Sequence, residues 1–231
     1  MSLKNWKNHF LTFEFEIYEK YSEQIEHFLI KQLSDINSRI DNHIRDLGIN
    51  DEQEIESLYE SMFEEDQENF RNEFPYILRK SLFLTIYAKL EEKLYMYCNY
   101  FNNKEGKQIY RNGRDRGLKS YQKYLENYIE FPSHTKEWKS IEHFIVIRNY
   151  LIHGGTNLIV KEDNQKILNA LKQFPKLIKL STMTKYGNSP DSMFTFHLNE
   201  NFCKKFIEYA TNLIIMVDEE VEIYDKNLSL K

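Results

Sequence analysis

The sequence predicts a mainly α-helical protein with a small β-hairpin near its C-terminus. Only 7 Gly and 4 Pro interrupt the 231 residues, and a chain with so few breakers favours long helices over many short strands. Apolar residues recur three and four positions apart through most of the chain, as they do on one face of a helix. A segment rich in turn residues, 187–191, separates two apolar runs and indicates the hairpin.

Length and composition exclude several classes of protein. The length of the chain suits one domain with an elaboration or two small domains. No apolar run approaches the roughly 18 residues of a membrane span. The N-terminus is too polar for a signal peptide. Cys98 and Cys203 are too few for a disulfide framework or a zinc site, and we expect both to be packing residues. We expect a cytoplasmic protein, without metal or cofactor, whose net charge of -5 confines nucleic-acid binding to a local patch.

The N-terminal part is predicted to be a helical extension, residues 1–74. Apolar residues at helical spacing from Phe13 to Leu47 predict a long amphipathic helix, which Gly48 ends. Residues 51–74 contain ten acidic residues and one basic residue. We expect a solvated acidic helix there, and a specific acidic-binding role is the less favoured alternative. A boundary near residue 74 leaves residues 75–231 as a C-terminal bundle.

The bundle begins with a helix that Pro75 opens, as proline does at a first helical position. This helix is apolar nearly all round, which predicts that it is central and buried. Glu91 and Glu92 interrupt its apolar surface. We expect one of them to be solvated and the other to reach solvent or meet a basic partner. A loop over residues 102–117 and a shorter helix over Leu118 to Ile129 follow.

The next helix carries the most informative residues. Ser133 or Thr135 is placed to cap it. Its apolar side extends from Trp138 to Ile152, and the pair Gly154-Gly155 must end it.

The remainder of the chain is mixed. Asp163 to Phe174 is predicted to be a short helix. The hairpin strands cover Leu177 to Thr184 and Met193 to Leu198. A last helix, capped by Asn199, is predicted to reach about Val217.

Three polar residues, Arg148, Asn149 and His153, lie at the C-terminal end of the helix that starts near Thr135. Asn149 and His153 are four residues apart, so they share a helix face and can form a hydrogen bond. The negative end of the helix dipole favours a cationic imidazole there. Arg148 is five residues from His153, about 140° round an ideal helix. The two meet only if the helix tightens at Gly154 or if a second protomer supplies one of them.

An arginine and a histidine together suit phosphoryl transfer without a metal ion. Arginine neutralises a phosphate and its pentavalent transition state, and histidine exchanges protons near neutral pH. On RNA the nucleophile can be the adjacent ribose 2′-hydroxyl, so neither a metal nor a protein nucleophile is required. The alternative is structural, because the same residue types also satisfy carbonyls and the dipole at a helix end.

The segment Arg148-Asn149-Tyr150-Leu151-Ile152-His153 resembles the motif of the HEPN superfamily, in which Arg and a polar residue precede mostly apolar residues and a His at a helix end. The glycines that follow, and the upstream helix with its embedded Glu91, add to a resemblance that covers roughly residues 75–217. It implies an up-and-down helical bundle that dimerises with two Arg/His motifs facing each other. It also implies a metal-independent endoribonuclease of toxin–antitoxin or antiphage systems, which leaves 2′,3′-cyclic phosphate and 5′-hydroxyl ends.

The resemblance assigns Arg148 to the scissile phosphate, His153 to proton transfer and Asn149 to orienting the site, with Glu91 in support. It implies RNA as substrate, a homodimer through the face that carries Arg148 and His153, and an antitoxin or defence-system partner. A related branch carries a modified Tyr two residues after the His. Gly155 stands there in this sequence, so that regulation is not expected. Some family members are inactive, and the alternative function is a non-catalytic HEPN-like module that binds RNA or a partner protein.

A second feature is the basic segment 104–124, which contains seven basic and two acidic residues. Tyr110, Tyr121 and Tyr124 lie among them and are able to stack on bases. The alternative is a solvated loop and helix face. The sequence predicts an RNA-binding surface formed by Arg111, Arg114, Arg116, Lys119 and Lys123.

Overall fold

The computed structural model describes residues 3–106, 117–154, 157–160, 164–182 and 193–230. The chain is mainly helical in these ranges, as predicted, and it contains a small antiparallel sheet. The helices are α1 (Leu3–Leu47), α2 (Glu52–Met62), α3 (Glu64–Glu68), α4 (Phe74–Glu105), α5 (Leu118–Leu125), α6 (Lys136–His153), α7 (Gln165–Leu171) and α8 (Phe202–Ser229). The strands are β1 (Leu158–Val160), β2 (Ile178–Thr182) and β3 (Met193–Leu198).

The core lies between α4, α6 and α8, where large aromatic side chains meet. Phe83 of α4 packs edge-on against Phe202 and Phe206 of α8, with ring centroids 5.1 and 4.9 Å apart. Phe144 of α6 contacts Phe206 at 4.8 Å. All four rings are fully buried. One side of α4 is therefore buried in the core, as predicted, whereas Ile77 and Met96 of the same helix are 51% and 55% exposed, so its apolar surface is not buried all round.

The long helix α1 lies against α8 and α4. It starts at Leu3, ahead of the predicted start at Phe13. Its buried residues include Phe15, Ile25 and Leu29, which belong to the same core cluster as α4, α6 and α8. The boundary near residue 74 stays a prediction.

The acidic segment forms two helices rather than one. The helix α2 buries no residue, as a solvated acidic helix should. Asp51 caps it by accepting hydrogen bonds from the backbone N–H groups of Gln53 and Glu54. The segment is anchored through Gln67 of α3, which is buried and donates to Asn37 of α1 at 3.0 Å.

A π-helical turn, Asn69–Glu73, joins α3 to α4. Pro75 lies in the first turn of α4, as predicted, and α4 follows directly on the helical backbone of the π turn. The N–H of Phe74 donates to the carbonyl of Asn69, five residues earlier. A proline lacks an N–H, and its ring collides with the carbonyl four residues before it. The wider π turn next to Pro75 accommodates the missing hydrogen bond and the bulk of the ring.

The predicted hairpin strands pair as expected, but they form part of a three-stranded sheet with the order β1-β3-β2. Both pairs are antiparallel, with Leu158 opposite Thr195 and Lys179 opposite His197. Strand β1 was not predicted, because a three-residue strand is too short to show alternation. The predicted turn at 187–191 lies outside the described residues.

Several helix ends differ from the predictions, including that of α4, which runs to Glu105 into the loop predicted for residues 102–117. The helix α5 ends at Leu125 instead of Ile129. The helix α8 continues past Val217 to Ser229, because Val221 is buried and because Tyr97 of α4 donates a hydrogen bond to Asp218 at 3.0 Å. Its first residue is Phe202, and the preceding Asn201, not Asn199, occupies the cap position, without a side-chain capping bond.

The helix α6 begins and ends as predicted. Between the two candidate caps, the structure selects Thr135, whose hydroxyl accepts from the N–H of Trp138 at 3.3 Å. The helix ends at His153, directly before Gly154. No helix in the described part of the chain is long and apolar enough to cross a membrane.

Candidate functional site

A pocket of about 230 Å³ lies where α4, the start of α5 and the end of α6 meet. It brings together Glu91, Lys119, Lys123, Arg148 and Asn149 from the predicted site, and it does not include His153. We call it the Arg148 pocket. Its lining residues are Tyr87, Glu91, Gly117, Leu118, Lys119, Ser120, Lys123, Ile145, Arg148 and Asn149.

The rotation of α6 decides which polar residue enters the pocket. Phe144 points into the core and is fully buried. At 100° per residue, Arg148 lies about 40° from Phe144 and His153 about 180° from it. Arg148 is accordingly half-buried at the edge of the core-facing side, whereas His153 is exposed on the opposite side.

The guanidinium of Arg148 rests on the ring of Tyr87, with its Cζ atom 5.2 Å from the ring centroid. Its Nη1 donates to Oδ1 of Asn149 at 3.1 Å. No carboxylate among the described residues forms an ion pair with it. An arginine carries five N–H donors, and the bond to Asn149 uses one of them, so most of the donors of Arg148 stay available to an anionic ligand.

Glu91 contributes a carboxyl group to the Arg148 pocket. It is half-buried; burial raises its pKa, and the nearby charge of Arg148 opposes that rise. Burial and the charge of Glu91 raise the pKa of the Tyr87 phenol as well. Glu92, the residue after Glu91, is exposed and forms an ion pair with Lys89 at 2.8 Å.

Gly117 forms the wall of the pocket beside Glu91. Its φ of 100° lies in the region that favours glycine. A Cβ atom at this position would lie 2.8 Å from Oε1 of Glu91. The glycine therefore permits both the turn into α5 and the close approach of the carboxyl group.

The predicted RNA-binding surface is represented by two lysines at the rim. Lys119 binds Glu142 of α6 at 2.9 Å, while Lys123 is exposed and has no ion pair with another described residue. Lys104, at the start of the basic segment, binds Asp225 of α8 at 2.7 Å. The other predicted residues, Arg111, Arg114 and Arg116, lie outside the described residues.

The expected hydrogen bond between Asn149 and His153 does not form, since the Asn149 amide oxygen accepts from Arg148 instead. The helix also stays α-helical at its end, because the N–H of Gly154 donates to the carbonyl of Tyr150 at 2.7 Å. The five-residue spacing then corresponds to about 7.5 Å along the axis and about 140° around it. Within one chain, Arg148 and His153 face different directions.

Sequence reasoning missed Tyr87 and Ser120 as pocket residues. The sequence predicts Tyr87 only as part of the apolar surface of a buried helix. It precedes Glu91 by four residues, and residues at this spacing share a helix face, so the position of Glu91 was a signal for it. Ser120 had no comparable signal.

Comparison with known proteins identifies no relative. No protein-family model matches the chain, and no curated protein and no solved structure matches it significantly. Within the described part of the chain, no group of three or more His, Cys, Asp or Glu residues is arranged to hold a metal ion.

Proposed function

We propose that this chain is a HEPN-like, metal-independent endoribonuclease. The observation that carries the proposal is Arg148, a half-buried cation held by Tyr87 and Asn149 in an open pocket, where it forms no ion pair with Glu91 or any other described carboxylate. Such a cation is suited to an RNA phosphate, and Lys123 at the rim adds positive charge. An exposed histidine, His153, ends the same helix.

In the proposed reaction the ribose 2′-oxygen attacks the adjacent phosphorus atom and the bond from phosphorus to the 5′-oxygen breaks. Arg148 stabilises the negative charge that develops on the phosphoryl oxygens. His153 accepts the 2′-hydroxyl proton, and the leaving 5′-oxygen takes a proton from the resulting imidazolium or from water. The products are a 2′,3′-cyclic phosphate and a 5′-hydroxyl.

The proposed active form is a homodimer. Arg148 and His153 of one chain point about 140° apart, so one chain does not present both to the same phosphate. A twofold dimer through the end of α6 places the partner subunit's His153 opposite Arg148, and an interface of this type repeats the pairing twice.

The first test is cleavage of total RNA by the purified protein in EDTA, with end-group analysis of the products. We expect cyclic-phosphate ends from the wild type and at least about a hundredfold slower cleavage by Arg148→Ala and His153→Ala. His134→Ala is the matched control, because His134 is also exposed but lies at the other end of α6. Wild-type rates in both folded site variants reject the proposed roles.

A mixing experiment tests the shared site. Arg148→Ala and His153→Ala proteins are unfolded together, refolded and assayed. If each site uses one residue from each chain, random pairing restores about a quarter of wild-type activity. No recovery in mixed dimers contradicts the shared site.

The biological setting is proposed from the resemblance alone: a toxin–antitoxin or antiphage system, with an antitoxin or defence partner. Expression of the wild type in bacteria is expected to arrest growth, and expression of His153→Ala is not. Equal growth of both strains contradicts a toxic nuclease.

A second candidate is a HEPN-like module that binds RNA or a partner protein without catalysis. The observation that favours it is the position of His153 outside the Arg148 pocket. This function predicts that Arg148→Ala weakens RNA binding while His153→Ala does not, and that no cyclic-phosphate ends appear with either protein.

A further inference from the structure

A second pocket, of about 250 Å³, lies between the π-helical turn, the start of α4, and strands β2 and β3. We call it the Lys179 pocket. Four basic residues line it, Arg71, Arg79, Lys179 and His197, and no Asp or Glu of the described residues does. In a protein of net charge -5, this is an unusual concentration of positive charge in a concave site.

The sheet register places two of the basic residues side by side. Lys179 of β2 lies directly opposite His197 of β3, and Ser181, two residues further along β2, is on the same face as Lys179. Directly opposed residues have Cβ atoms about 5 Å apart, so one anion can contact the side chains of both Lys179 and His197.

The basic residues differ in whether their donors are in use. Arg79 uses three of its five N–H donors, since its Nε and Nη2 donate to Glu26 and its Nη1 donates to the carbonyl of Leu198 at 2.7 Å. The side chains of Arg71, Lys179 and His197 form no hydrogen bond or ion pair with any other described residue. Arg79 therefore fixes the position of the pocket wall. The side chains of Arg71, Lys179 and His197 keep their hydrogen-bond donors available for a ligand.

The backbone beside the pocket is irregular. Arg71 and Asn72 belong to the π-helical turn Asn69–Glu73. Single π turns within helices are rare and occur frequently at functional sites. Here the turn brings Arg71 to the same pocket as Tyr76 and Arg79 of α4.

We propose that the Lys179 pocket binds a phosphate group, with Arg71 and Lys179 as cationic ligands and the His197 ring as a hydrogen-bond donor. The pocket is smaller than the roughly 300–1,000 Å³ of drug-sized sites, so it suits a phosphate with a small attached group. The phosphate comes either from a small free compound or from an RNA backbone. Tyr76 and Tyr87 lie about 17 Å apart along α4 and within about 20° around it, so a single strand is long enough to span both pockets.

The test is calorimetric titration with inorganic pyrophosphate and with a short 2′-O-methyl RNA, which cannot be cleaved through its 2′-oxygen. The variant is Arg71→Gln/Lys179→Gln. The matched control is Lys176→Gln, which removes an exposed lysine outside the pocket. All proteins carry Arg148→Ala, so that binding at the Arg148 pocket and the proposed nuclease activity do not enter the result.

We expect the double variant to bind pyrophosphate about a hundredfold more weakly, since each charge-assisted contact is worth about tenfold, and the control to bind as before. If only the RNA binds and its affinity falls at least about tenfold in the double variant alone, the site holds a backbone phosphate. Unchanged affinity for both probes in the double variant, or failure of both to bind the parent, overturns the proposal.

Discussion

Arg148 and His153 are separated by only five residues, and their environments differ completely. Arg148 is held by the Tyr87 ring and the Asn149 amide, whereas His153 is exposed at the helix end. The motif identified both residues from the sequence. It did not show that one faces a pocket and the other faces away from the core, because that depends on how α6 is rotated against its neighbours.

Replacing Glu91 with Gln is expected to raise the melting temperature at neutral pH. Burial raises the pKa of this carboxyl, so its ionised form is disfavoured in the folded state and costs stability once the pH exceeds its unfolded value. The gain should disappear at low pH, where Glu91 is protonated. Glu92→Gln is the matched control, since Glu92 is exposed and bound to Lys89. A pH-independent effect contradicts this account.

Gly117→Ala tests the wall of the Arg148 pocket. At a φ of 100°, with Glu91 Oε1 only 2.8 Å from the new Cβ, the substitution should destabilise the protein by about 1–3 kcal/mol. Chemical denaturation measures this change. Gly106→Asn is the comparison, because Gly106 has a φ of 68° with open space around it and asparagine tolerates that conformation. Equal losses in both variants would argue against the contact with Glu91.

At the scale of elements, Arg79 connects three parts of the fold. It belongs to α4, pairs with Glu26 of α1 and donates to Leu198 at the end of β3. The side chains of the pair are only 17% and 16% exposed. Arg79→Met should therefore cost about 2–4 kcal/mol, because Glu26 is left as an unpaired, largely buried charge.

Urea denaturation checks this prediction against Arg39→Ala. The Arg39–Asp66 pair is 61% and 51% exposed, so its loss should cost less than about 1 kcal/mol. Adding Glu26→Leu to Arg79→Met should recover part of the stability, since no unpaired charge then remains. A similar cost for Arg79→Met and Arg39→Ala would show that Arg79 does not hold these elements together.

Element boundaries could be predicted where capping chemistry is local. Thr135 and Gly154 bound α6 as expected, because a cap depends on residues within one turn. The ends of α8 and the existence of β1 depend on distant partners. Tyr97 of α4 and the paired strand β3 supply them, and neither is visible in the local sequence.

At the scale of the whole molecule, stability is expected to fall as the pH rises above about 9. Burial raises the pKa of the Cys98 and Cys203 thiols to about 12 and that of Tyr76 to about 12. Unfolded chains lose these protons first, near pH 9 for the thiols and near pH 10 for tyrosine. The folded state keeps these protons to higher pH. The free energy of unfolding is therefore highest below these values and falls as the pH rises to about 12.

Urea midpoints measured from about pH 7 to about pH 11 test this expectation. Cys98→Ala/Cys203→Ala should show a shallower decline between about pH 9 and pH 11, because two of the titrating groups are gone. A midpoint that stays constant in the wild type up to pH 11 contradicts the assignment. The two thiols should also resist modification in the native protein, as both are buried.

The sequence by itself determined the helical class, the apolar faces, the caps of α6 and the candidate residues Arg148, Asn149, Glu91 and His153, because periodicity, capping and motif spacing are local properties. The tertiary structure decided which of these residues meet. Packing of Phe144 against α8 sets the rotation of α6, which directs Arg148 into a pocket with Glu91 and leaves His153 outside. The Lys179 pocket likewise joins residues more than one hundred positions apart. Their proximity depends on strand register, so no local sequence pattern shows it.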